Sequence, residues 1–123
     1  MIGRYQGSVG ATRREWVVAN RDKLVAYIRG YVAGVDWLYD PANKEEAKAI
    51  LLKRLPRMKP EDAEGGYDEL LSPTRGSLLP RAKIDIEGMR AVLKMRSAYG
   101  LPQKTLTDPM RYYDPSYYDM ALR

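Results

Sequence analysis

The chain has 123 residues, 45% of them apolar and 30% charged, with a net charge of +5, ten Tyr, two Trp and no Phe. This is a globular composition, and the length suits a single domain of roughly 100–150 residues. The absence of Cys and His excludes disulfides, thiol nucleophiles, zinc clusters and imidazole bases, and no apolar run reaches the ~18 residues of a membrane span.

From the start, Gly3, Gly7 and Gly10 punctuate a stretch too glycine-rich for a helix, so residues 4–11 read as an extended segment leading into a short helix over 12–19. The opening residues contain no apolar core of a signal peptide, so an export signal is not expected in this chain. Asn20 is the expected cap of the strongest element. In it Leu24, Ile28, Tyr31, Val35 and Leu38 recur at helical spacing, and Asp40-Pro41 ends the run. Gly30 and Gly34 lie four apart beside that face, which predicts close approach of another backbone.

Asn43 and Glu46 form a capping box for the next helix, with Ala47, Ile50, Leu51 and Leu55 as its buried stripe and Pro56 as its stop. Pro60 opens a further helix over 60–71, with Ala63, Tyr67, Leu70 and Leu71 on its apolar side. Residues 72–83 read as a loop. Asp85 then caps a helix carrying Met89, Val92, Leu93 and Arg96, and Gly100-Leu101-Pro102 stops it. In the tail, Asp108-Pro109 and Asp114-Pro115 are cap-plus-proline starts of short helices. The predicted fold is therefore mainly α: about four helices, short C-terminal helices and a Gly-rich extended N-terminal segment.

The chemistry available is sparse. Asp36 and Asp40 lie four apart as a potential carboxylate pair, but at a helix end where exposed charge is ordinary. Glu45-Glu46 and Glu61-Asp62 occupy first helical turns, where negative charge offsets the helix dipole. Gly3-x3-Gly7-x2-Gly10 lacks the Lys-Ser/Thr ending of a phosphate loop. Ser72, Ser77 and Lys83 share a loop with no spacing that defines a dyad. Tyr112, Tyr113, Tyr117 and Tyr118 cluster beside Arg111. Packing, for instance against the Trp37-Leu38-Tyr39 helix end, is the simpler use of these rings than stacking on bases. Basic residues are broken up by acidic ones, and the longest basic runs are pairs such as Arg13-Arg14 and Lys53-Arg54. The excess charge reads as a solvated surface, with no nucleic-acid partner expected. Neither an enzyme nor a metal or cofactor is expected.

The order of elements resembles something known. Tyr5-Gln6-Gly7-Ser8-Val9-Gly10-Ala11-Thr12-Arg13-Arg14-Glu15-Trp16 is followed by Ala19-Asn20 and a long helix ending between Ala33 and Trp37. Then come Asn43-x2-Glu46-Ala47, Tyr67-x2-Leu70, Ile84-Asp85-Ile86-Glu87-Gly88-Met89-x2-Val92-Leu93 and Asp114-Pro115-Ser116-Tyr117. Together these resemble the C-terminal third of solute-binding proteins of ABC importers, of the nitrate, sulfonate and taurine type and their relatives that bind thiamine-precursor pyrimidines. The resemblance spans nearly the whole chain. It implies the helical part of a two-lobed α/β periplasmic receptor, a small anionic or heterocyclic solute, an ABC permease as partner and a periplasmic site of action. Tyr5, Gln6 and Ser8, in the extended entry segment, are the residues placed to reach the ligand cleft. The alternative is a stand-alone cytoplasmic helical module that forms a homodimer through the surface an absent lobe would cover, and behind it a nucleic-acid-binding helical protein, which the +5 charge and the aromatics motivate.

Overall fold

A computed structural model of the chain describes residues 5–72 and 78–123. These residues form six α-helices, three short 3-10 turns and no strand. None of the helices is long and apolar enough to cross a membrane. The chain groups into two compact units: a terminal unit, which takes in the chain up to Tyr31 together with Ile84–Arg123, and a central unit, Val32–Lys83.

In the terminal unit, residues 5–13 run without regular structure into α1 (Arg14–Ala19), which begins two residues later than the sequence predicts because Arg13 is extended. α2 (Arg21–Tyr39) follows almost without a break and gives its first half to this unit. Asn20 joins α1 to α2 but does not cap α2 with its side chain. Its Nδ2 donates to the Trp16 carbonyl at 3.0 Å, its Oδ1 accepts from Lys23 Nζ at 3.1 Å, and its main-chain carbonyl accepts the Leu24 N–H.

The predicted apolar face of α2 holds for Leu24, Ile28, Val35 and Leu38, but the buried position near its middle is Val32. Tyr31 faces solvent and stacks on Tyr27, with ring centroids 6.2 Å apart. The two residues are neighbours on the helix, and the one without a hydroxyl to hydrate goes inside. Gly30 and Gly34 do not bring a backbone close: a Cβ added at either would meet nothing within 4 Å.

α5 (Ile86–Tyr99) follows the cap position Asp85 and buries Leu93 and Gly88. After it, Asp108 and Asp114 act as the sequence predicts. Asp108 accepts from the Met110 N–H to cap the turn Pro109–Arg111, and Asp114 accepts from the Ser116 N–H at the start of α6 (Ser116–Ala121). Pro109 is fully buried. The tail is tied to α2, where Arg29 Nε donates to the Ala121 carbonyl and Arg21 Nη2 to the Met120 sulfur. Both ties lie in the first half of α2.

In the central unit, a 3-10 turn at Pro41–Asn43 precedes α3 (Lys44–Arg54); Asp40 caps the turn, accepting from the Ala42 N–H at 3.0 Å, and Asn43, at the cap position of α3, makes no side-chain cap bond. Asn43 reaches back instead, donating to the Trp37 carbonyl. α4 (Pro60–Leu70) starts on Pro60 as expected and runs through Gly65-Gly66 unbroken. α3 and α4 pack through Ala47 and the fully buried Ala63. Ile50 and Leu55, predicted in the buried stripe of α3, are about half exposed, as Leu70 of α4 partly is; the small alanines carry the contact. Tyr67 and Tyr39 close the unit with their hydroxyls, which donate to the carbonyls of Leu38 and Leu78, each at 2.6 Å. Near the end of this unit, Arg81 and Ala82 hold left-handed backbone at φ 58° and 52°. Such geometry is uncommon for residues with a Cβ.

Candidate functional site

The extended entry segment is anchored at Gln6. Its Oε1 accepts from the Asp85 N–H at 2.7 Å, and its Nε2 donates to the Ser8 carbonyl at 3.1 Å. The segment crosses directly over Gly88, where an added Cβ would fall 2.6 Å from the Gln6 nitrogen and 2.7 Å from the Tyr5 carbonyl carbon. Only glycine allows that approach. Gln6 is thus a structural tie of the terminal unit, while Tyr5, Ser8 and Val9 are exposed. Of the three predicted ligand contacts, Tyr5 and Ser8 keep groups directed to solvent, and Gln6 holds them in place.

Two open concavities lie in the terminal unit. One, of about 440 Å³, is lined by Arg21, Ser116, Tyr117, Asp119, Met120 and Arg123. The other, of about 470 Å³, is lined by Arg90, Lys94, Ser97, Ala98, Thr105, Leu106 and Thr107. Tyr5, Gln6 and Ser8 line neither. Burial holds the Tyr113 hydroxyl above the usual tyrosine range, reinforced by the charge of Asp119. Asp114 lies below the usual carboxylate range because it accepts from Ser116.

The second concavity adjoins a feature the sequence reading passed over. Past α5 the chain turns back along its own helix, and several bonds strap it down. Arg96 Nη2 donates to the Leu101 carbonyl at 3.2 Å, and its guanidinium also reaches the Pro102 carbonyl at 3.3 Å. Gln103 donates to the Ser97 carbonyl, and Ser97 Oγ accepts from the Leu106 N–H at 2.8 Å. Gly100 is required here, because a Cβ would lie 2.5 Å from the Arg96 carbonyl oxygen. This strap holds Tyr99 and Leu101 outward, 87% and 86% exposed. Arg96 read in sequence as one more member of a helix face. The local signal for the strap was Gly100 four residues after an arginine.

Several carboxylates are engaged in structural bonds. Asp36 pairs with Arg81 at 2.9 Å and Asp40 caps its turn, so the two do not form a carboxylate pair. Between α3 and α4, Lys44 bridges Glu64 (2.5 Å) and Asp68 (2.9 Å) and lies over the Tyr67 ring, while Lys48 joins Glu45 and Glu64. Hydrogen bonds from Lys44 and Lys48 pull Glu64 down to about 2, and those from Glu64 and Asp68 raise Lys44. Ser77 and Gly3 lie outside the described residues, so the loop serine set and the glycine spacing are not described as sites. Among the described residues no group of three or more metal-ligating side chains occurs. No family model, curated protein or solved structure matches this chain.

Proposed function

We propose that the chain is a non-catalytic binding component: the helical C-terminal part of a solute-binding protein of the nitrate, sulfonate and taurine type. The observation that carries this reading is the entry segment pinned by Gln6 to the start of α5, with Tyr5 and Ser8 directed to solvent. In the family that the sequence resembles, a crossover of this kind leads back into a lobe that faces the ligand. The helix order supports the same reading, since the segments that carry the resemblance coincide with α1 to α6. A solute is captured where walls close on both sides of it. The described residues supply helices and two open concavities, so capture needs further polypeptide beside them. A chimera tests this: the chain replaces the corresponding part of a taurine-binding receptor, and calorimetry follows nitrate, taurine and an aminopyrimidine. Heat from one of them, reduced about tenfold or more in affinity by Tyr5→Ala, is the expected result. A folded chimera silent to all three removes the reading.

A second reading, a homodimeric helical module, draws on the stacked Tyr27 and Tyr31 and on the exposed Trp16 and Val18 in the terminal unit. Exposed aromatics of this kind favour association. Sedimentation equilibrium of the chain alone tests it. A dimer that Tyr31→Asp converts to monomer supports this reading, and a monomer at about 100 μM, weaker than ~−5.5 kcal/mol of association, discards it.

A further inference from the structure

The concavity of about 470 Å³ lies between one face of α5 and the segment that returns along it. Arg90, Lys94, Ser97 and Ala98 are spaced by four, three and one residues, so they share that face of the helix. Thr105, Leu106 and Thr107 form the other wall. Ser97 ties the walls together: its Oγ donates to the Leu93 carbonyl and accepts from the Leu106 N–H, each at 2.8 Å. That hydroxyl is thereby spent. The other polar side chains of the lining keep donors to spare. Arg90 bonds Glu87 through Nε at 3.1 Å and leaves both Nη atoms unbonded. Lys94 Nζ and the hydroxyls of Thr105 and Thr107 enter no hydrogen bond or ion pair among the described residues. No carboxylate lines the concavity. Glu87 and Asp108 flank it, the first bonded to Arg90 and the second to the Met110 N–H.

We propose that this concavity binds a small organic monoanion, a carboxylate or sulfonate carried on a short apolar chain. The charge sets the head of the ligand. Glu87 offsets Arg90, so Lys94 is the one cation of the lining without an ion-pair partner, and it matches a single negative charge. Lys94 Nζ, the two Arg90 Nη atoms and the two threonine hydroxyls can all donate to an oxyanion, and bonds from charged donors are the stronger kind. The lining sets the tail. Ala98 and Leu106 belong to the same concavity and give a few methylene groups apolar surface to cover. The volume is that of a small-molecule site. The bonds from Arg96, Gln103 and Ser97 already hold the threonine wall in place, so binding orders little of the chain. All the lining residues fall within 90–107, and Tyr5, Gln6 and Ser8 are not among them. The site is therefore independent of the ligand cleft proposed above and needs no further polypeptide.

The test titrates the full chain, labelled with nitrogen-15, with hexanoate and hexanesulfonate. Hexylammonium reverses the charge of the head, hexanol removes it, and acetate and methanesulfonate remove the tail. The expected result is saturable shifts at the amides of residues 90–98 and 105–107 with both six-carbon anions, with a Kd of about 1 mM, as suits an open site. Hexylammonium and hexanol give no saturable shift there, and the tailless anions bind about tenfold more weakly because the methylene contacts are lost. Lys94→Gln weakens hexanoate about three- to fivefold, the size of an exposed ion pair, while Lys94→Arg keeps the affinity. Lys94 is exposed and without a partner, so neither change disturbs the fold, and circular dichroism verifies this. Equal binding of hexanoate and hexylammonium, equal binding of hexanoate and acetate, shifts centred elsewhere, or full affinity in Lys94→Gln each overturns the proposal. The ligand series decides the matter on the unaltered chain even if a variant fails to fold.

Discussion

At Gly88 and Gly100 a Cβ would collide with main-chain atoms, whereas at Gly30 and Gly34 it would enter open space. The same substitution therefore has opposite signs at the two pairs of sites. Gly30→Ala and Gly34→Ala are each expected to stabilise the chain by about 0.5–1 kcal/mol, because alanine costs less entropy in an exposed helix. Gly88→Ala is expected to destabilise it by about 1–3 kcal/mol through overpacking, and to speed amide exchange at Asp85 as the Gln6 bond loosens. Thermal and urea unfolding of the four single variants, Gly100→Ala included, checks the division; stabilisation at Gly88 would contradict the packing described. In the sequence the Gly30–Gly34 spacing drew the expectation of close approach, and the glycines that are actually approached drew none. Helical spacing reports neighbours three or four residues away. Gly88 meets the chain near Gln6, about eighty residues earlier, and nothing local records that. Tyr31 and Val32 fail for a related reason, since periodicity cannot choose between two adjacent apolar residues at the edge of a stripe.

Helix identity was legible from caps and periodicity, but several caps act differently from their motif. Asn43-x2-Glu46 has the letters of a capping box, while Asp40 does the capping one turn earlier and Asn43 serves α2. A motif names groups that can bond; the turn at Pro41 decides which of them face the helix end. Between α3 and α4 the ion pairs give the element a pH dependence of definite sign. Glu64 lies at about 2 in the folded chain, against an ordinary 4.5, through its bonds to Lys44 and Lys48. A lowered carboxylate contributes stability that is present above its unfolded value and is lost as pH falls through its folded one. The melting temperature of the chain is thus expected to decline between about pH 4.5 and 2, modestly because these groups are partly exposed. Melts followed by circular dichroism should show a shallower decline in Glu64→Gln. An unchanged slope would separate the α3–α4 contact from these charges and leave it to Ala47 and Ala63.

Over the whole chain, the mainly helical class follows from four capped, periodic segments and from the scarcity of alternating patterns, and a helical circular dichroism spectrum is the expected solution signature. The grouping into units was not legible. Sequence order suggests one run of helices, yet Gln6 bonds Asp85 and α6 is tied to Arg21 and Arg29, so the first and last parts of the chain share a unit, and residues 32–83 intervene in the sequence only. Synthesis feels this arrangement. When Gln6 is added to the chain, the Asp85 N–H that its Oε1 accepts from is 79 residues from being made. At about 5–20 residues per second, the entry segment waits about 4–16 s. During that wait the central unit is being made and is complete only as Asp85 is reached, while α1 and the front of α2 are translated but lack α5 and α6. Codons that slow translation across residues 32–83 lengthen this vulnerable interval and expose Val17 and Leu24 to holdase chaperones or aggregation. Codons that speed it bring the two ends of the terminal unit together sooner.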